Sequence, residues 1–249
     1  MNPRIATGSS AQYGYEGAVA YAVQKQLKVI DVRPHILKLA LPLNGNDSVY
    51  KFEINQEIPA TEQRSLFSLE KNDAFYNTGT GLCVARVPVH KAAANGAETI
   101  MWGNAKYYFH ADEKAFTNPA PAANQKAGWA KEFQAIETVW AGTMEIMVED
   151  TVIVSKLDTS VFQTVPETQT SATLVNSTNK INTKNLGKPF GFFGDKTATV
   201  TVQLGNGDYL AIAGDEDIDL GTVGYRNYLV LQQTGFLIRK AAQAQRIVG

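Results

Sequence analysis

Along most of its length the chain breaks into short runs of alternating or β-branched apolar residues separated by turn-forming clusters. This pattern restricts the fold more than any other feature. A strand places successive side chains on opposite faces, so period-two runs bury their apolar side only when sheets stack or close on themselves. His35 to Leu43 carries Ile36, Leu37, Leu39 and Leu41, Asn44-Gly45-Asn46-Asp47 turns the chain, and Val49 to Ile54 alternates, which predicts a hairpin. Ser65 to Leu69 and Phe75 to Val87 extend around Glu70-Lys71-Asn72-Asp73, with shorter runs at Thr99 to Trp102 and Lys106 to His110. Met144 to Val148 and Val152 to Val154 flank Glu149-Asp150. Thr197 to Leu204 and Asp208 to Ile212 flank Gly205-Asn206-Gly207, where an Asn-Gly turn between β-branched runs gives the strongest local hairpin signal. Tyr228 to Arg239 reads as a closing strand pair. An all-β fold follows.

Two segments depart from this pattern. From Gln12 to Ile30, Tyr15, Val19, Ala22, Val23, Leu27 and Ile30 recur at helical spacing, with Gly14 and Gly17 weakening the first turn. After the Pro/Ala connector Thr117-Asn118-Pro119-Ala120-Pro121-Ala122-Ala123-Asn124, the stretch Gln125 to Thr138 carries Trp129, Phe133 and Ile136 at helical intervals. The chain therefore divides into an N-terminal arm and amphipathic helix (1–30), a first β-barrel (31–121), a connector helix (122–138) and a second β-barrel (139–249). The polar stretch Thr168 to Lys188 and both termini, including the basic run Arg239 to Arg246, are the expected places for partner contacts.

Charge and cysteine content narrow the function. With 23 basic against 24 acidic residues the formal charge is −1, and the first thirty residues hold only Arg4, Lys25 and Lys28, so no direct sequence-specific nucleic-acid binding is expected. The single cysteine, Cys83, rules out an intrachain disulfide and sits between Leu82 and Val84 as a buried strand residue. No run reaches the roughly 20 apolar residues of a membrane span, and Met1-Asn2-Pro3-Arg4 lacks the apolar core of a signal peptide, so synthesis in the cytoplasm is expected.

A search for chemistry returns no catalytic, cofactor-binding or metal-ligating set. His35, His90 and His110 lie far apart and pair with no Cys or His at metal-ligand spacing. Gly187, Gly191 and Gly194 precede Asp195-Lys196-Thr197, but Asp195 puts a carboxylate where a phosphate loop needs backbone amides. Asp215, Asp217 and Asp219 alternate as calcium ligands do, yet Leu220 stands where such a loop needs glycine and Arg226 where it ends in glutamate, so a solvated acidic turn is the plainer reading. Tyr107-Tyr108-Phe109 and Phe190-Gly191-Phe192-Phe193, with no basic stripe beside them, read as packing residues.

An amphipathic N-terminal helix, a β-rich half, a Pro/Ala connector with a short helix and a second β-rich half together resemble the double jelly-roll major capsid proteins of tailless, membrane-containing icosahedral phages. Ser68-Leu69-Glu70-Lys71-Asn72-Asp73-Ala74-Phe75 is also similar to stretches of phage virion proteins. The resemblance implies two tandem jelly-roll barrels, with a single decorated jelly roll as the alternative at 249 residues. It implies a non-enzymatic virion protein made in the host cytoplasm, a homotrimer of pseudo-hexagonal outline that builds a lattice, and contacts with other virion proteins. It also implies an N-terminal helix facing an internal membrane, with Val19, Val23 and Leu27 toward lipid and Lys25 and Lys28 near headgroups; packing of that helix on its own barrel or a neighbour is the competing reading. A head-decoration protein, a calcium-assisted carbohydrate-binding jelly roll and an enzyme with a dispersed site are the other readings.

Overall fold

The computed structural model describes residues 10–28, 31–54, 64–65, 69, 72–108, 132, 134–163, 183–186, 189–207, 209, 212–215, 223–239 and 242–243. Helix α1 spans Ser10–Gln24, and the principal strands are β1 (Asp31–Pro42), β2 (Val49–Ile54), β3 (Ala74–Lys91), β4 (Thr143–Val148), β5 (Thr151–Asp158), β6 (Phe190–Phe193), β7 (Ala198–Gln203) and β8 (Val223–Arg239). They form two antiparallel sheets, one in the order β1, β8, β3, β6 and the other in the order β2, β7, β4, β5. The short strands Arg64–Ser65, Glu98–Ile100, Lys106–Tyr108 and Gly214–Asp215 extend the first sheet, and Leu27–Lys28 pairs with Ala242–Gln243.

The sheets face each other across one core. Leu37 and Leu39 of β1, Leu82 and Val84 of β3, and Leu229 and Leu231 of β8 meet Phe52 of β2, Met144 and Ile146 of β4, and Val200 and Val202 of β7. Alternation explains the set, since each strand contributes every second residue to the interior. Ile136, Val139 and Trp140 enter the same core from the end of the short helix, whose described residues are Glu132 and 134–137.

The all-β expectation holds, but the described strands of 31–121 and 139–249 do not close into two tandem barrels. β8 lies between β1 and β3, with twelve of its residues in register with β1 from Tyr228↔Pro42 to Arg239↔Asp31. β7 lies between β2 and β4. Both sheets therefore mix strands from the two segments, and the described core clusters draw on both.

Three local expectations fail for the same reason. β1 and β2 are not a hairpin: the chain leaves the first sheet at Leu43, whose N–H donates to the Asn227 carbonyl at 2.9 Å, and crosses to the second. The crossing is locked by the Asn44 N–H donating to Tyr50 Oη and the Tyr50 hydroxyl donating to the Asn44 carbonyl, both at 3.0 Å. β7 is paired along both edges, with β2 and β4, so neither edge is left for the expected hairpin with 208–212, of which 208, 210 and 211 lie outside the described residues. Tyr228 to Arg239 is one strand rather than a pair; its Thr234-Gly235 step is a bulge, where Thr78 of β3 has no counterpart. The β4–β5 hairpin forms, with Glu149 at its turn in a left-handed conformation (φ 55°).

Candidate functional site

Three features stand out among the described residues, and the first is helix α1 on the outer face of the first sheet. Its seat is made of small residues. A Cβ on Gly14 would lie 2.7 Å from Phe236 Cε2, one on Gly17 would lie 2.7 Å from Tyr76 Oη, and Gly191 on β6 has no room for one beneath the Tyr21 ring. Ala18 and Ala22 are buried, and Tyr15 and Tyr21 pack on Phe236 and Tyr76 at 6.1 and 5.6 Å between ring centres. Burial, reinforced by the nearby Glu149 charge, pushes the Tyr21 hydroxyl up to about 12.

The expected apolar stripe faces outward. Tyr15, Val19 and Val23 are 46, 37 and 73% exposed and follow each other at i, i+4 and i+8 along α1. Leu27 lies beyond the helix and packs with Ala22, Ala74 and Ile238, so it does not share that outward face.

The second feature is a groove of about 870 Å³ beside α1, lined by Pro34 to Ile36, Thr78, Gly79, Thr183, Asn185 and Thr234 to Phe236. The bulge residues Thr78, Thr234 and Gly235 form part of its wall. Thr78 Oγ1 donates to the Thr234 carbonyl at 3.1 Å and Thr234 Oγ1 lies 3.3 Å from Thr183 Oγ1, while Lys184 bridges to Thr80 through two backbone bonds of 2.9 and 2.8 Å. Of the polar stretch 168–188, only 183–186 are described, and they border this groove.

The third is a buried polar latch. Glu132 of the connector helix accepts from Asn227 Nδ2 at Oε1 (2.7 Å) and from Tyr225 Oη at Oε2 (3.1 Å), and Arg86 Nη2 lies 3.7 Å from the same Oε2 while its guanidinium stacks 3.2 Å from the Tyr225 ring centre. Asn227 Nδ2 also donates to the Ile212 carbonyl. Four separate stretches of chain, around Arg86, Glu132, Ile212 and Asn227, are tied together here. Sequence reading missed it because a lone Glu on a short helix carries no spacing signal.

The described residues among those singled out by sequence do not converge on one site. Cys83 is fully buried on β3, and burial pushes its thiol up to about 12, which keeps it protonated at neutral pH. His35 sits on β1 edge-on to Phe75, whereas His90 lies far along β3 opposite Val223; His110 is outside the described residues. Gly191 packs under Tyr21, Gly194 donates its N–H to the Asp73 carbonyl, and the Lys196 ammonium lies 3.9 Å from Glu149. Gly187 lies outside the described residues, as do Asp217 and Asp219, while the Asp215 backbone pairs with Tyr225. Tyr108, Phe190 and Phe192 fill the core, and Tyr107 lies under the Lys38 ammonium at 3.7 Å. Trp129, Phe133 and the connector 117–124 are outside the described residues.

Among the described residues no three His, Cys, Asp or Glu side chains come together as a metal site, and no helix is long and apolar enough to cross a membrane. Comparison of the chain with protein-family models, with curated proteins and with solved structures finds no match.

Proposed function

We propose that the chain is a non-enzymatic structural subunit of a bacteriophage shell, built on a single jelly roll and working by packing against copies of itself. Strand pairing carries the reading. β1 pairs with β8, β2 with β7, β3 with β6 and β4 with β5, so the chain is one long folded ribbon, and rolling it brings β8 against β3 and β7 against β4. This pairing order supports the double Greek-key winding of a jelly roll, an architecture used by viral capsid domains.

Other surface features support it. The outward stripe Tyr15, Val19 and Val23 suits a neighbouring subunit or the internal membrane of the particle, and the edge strand β5 exposes Val152 and Ile153. In this reading the protein forms homotrimers that assemble a lattice with other virion proteins and resides in the virion after synthesis in the host cytoplasm. Native mass spectrometry tests the first step: a discrete trimer supports the reading, and a monomer at every concentration counts against it. Lectin domains share the architecture, and the threonine-lined groove beside Phe236 favours a carbohydrate-binding protein as the second reading. Glycan-array binding by a monomer, lost with chelator if Asp215, Asp217 and Asp219 hold calcium, would establish that instead.

A further inference from the structure

We propose that Arg33 and Arg239, with His35 beside them, form a binding site for an oxyanion, the phosphate or carboxylate group of a ligand. Val32 and Ile238 pack under α1 on the outer face of the first sheet, while Leu37 and Leu237 belong to the core on its inner face. Strand alternation therefore puts Arg33 and His35 of β1, and Arg239 of β8, on the inner side at one end of the sandwich. Arg33 is in register with Leu237 and Arg239 with Asp31, so the two arginines occupy diagonal positions on adjacent strands, within reach of each other's long side chains.

One carboxylate, Asp31, stands opposite Arg239 in the strand register on the same face. Arg33 Nε is buried and makes no hydrogen bond. Among the described residues no carboxylate forms an ion pair with Arg33 or Arg239; Asp31, on the same face, is exposed and forms none with them. His35 feels both guanidiniums: burial first, then the charges of Arg33 and Arg239, hold its pKa below the ordinary value. A guanidinium presents paired N–H donors that match two oxygens of one anion, so an oxyanion between the arginines would satisfy the buried Nε and relieve their mutual repulsion. The site does not depend on the shell reading.

Calorimetric titration of inorganic phosphate into the wild-type protein, R33Q and R239Q tests it, with circular dichroism confirming that each variant is folded. Saturable binding to the wild type that weakens roughly tenfold or more in either variant is expected. Arg239 is exposed, so R239Q keeps the test open if R33Q fails to fold. Sedimentation of the same samples separates the sources of the anion. Self-association lost in the variants and competed by phosphate assigns the site to a carboxylate of a second copy; phosphate binding without any effect on self-association assigns it to a phosphate-bearing ligand. Absence of saturable binding, or equal binding by wild type and R239Q, overturns the proposal.

Discussion

At the scale of single residues, Glu132 carries more than its place in the sequence suggests. Its side chain is 4% exposed and that of Arg86 14%, so removing the carboxylate takes a counter-charge from a nearly buried cation and an acceptor from Tyr225 and Asn227. Breaking a buried pair from one side costs about 3–5 kcal/mol, whereas Glu132→Gln, which keeps an acceptor, should cost less. Urea unfolding of Glu132→Ala should show this as a lowered midpoint, and a wild-type midpoint would refute the latch. Cys83 gives a prediction in pH. Its thiol rises from an ordinary 9.0 to about 12 in the fold, so above about pH 9 the unfolded chain ionises while the folded one keeps the proton. Stability is therefore intact below pH 9 and falls as pH climbs toward 12, and Tyr21, raised from 10.0 to about 12, adds to the fall. Cys83→Ala should flatten part of this alkaline decline in unfolding series across pH; an equally steep decline would contradict the burial argument.

The elements show what periodicity can and cannot encode. Alternation at Val49 to Ile54 or Met144 to Val148 reports a half-buried strand, and the structure has strands there as β2 and β4. Alternation does not report which strand lies alongside. The turn at 44–47 and the one at 149–150 both read as hairpin turns, yet the first connects different sheets and only the second joins neighbours. The glycines of α1 were misleading for a related reason. Gly14 and Gly17 cost helix propensity, but their missing side chains admit Phe236 and Tyr76, a tertiary gain invisible to a helical count. Gly17→Val should thus lift α1 from the sheet at a cost of about 1–3 kcal/mol and speed proteolytic cutting within 10–24. Val19→Ser, on the exposed side, should change stability by less than about 0.5 kcal/mol. If Gly17→Val resisted protease as well as the wild type, the small-residue seat would be wrong.

For the whole molecule, the pairing of first with last and second with next-to-last strand makes the fold depend on contacts between distant stretches of chain. Sequence order made two consecutive β-rich halves look like two barrels, because composition shifts at the Pro/Ala connector while sheet membership leaves no local mark. Residues 1–121 and 122–249 produced separately should each lack cooperative unfolding, and mixing them should restore it only if they associate. Cooperative unfolding of either half alone would restore the two-barrel description. The same distance limits functional reading: the groove and the Arg33–Arg239 pair exist only after β1, β3 and β8 come together. Light scattering of the purified chain across concentration and salt, with negative-stain microscopy of the same samples, tests the assembly claim most directly. The account predicts oligomers that grow into sheets or closed shells, and a strict monomer under every condition would contradict it.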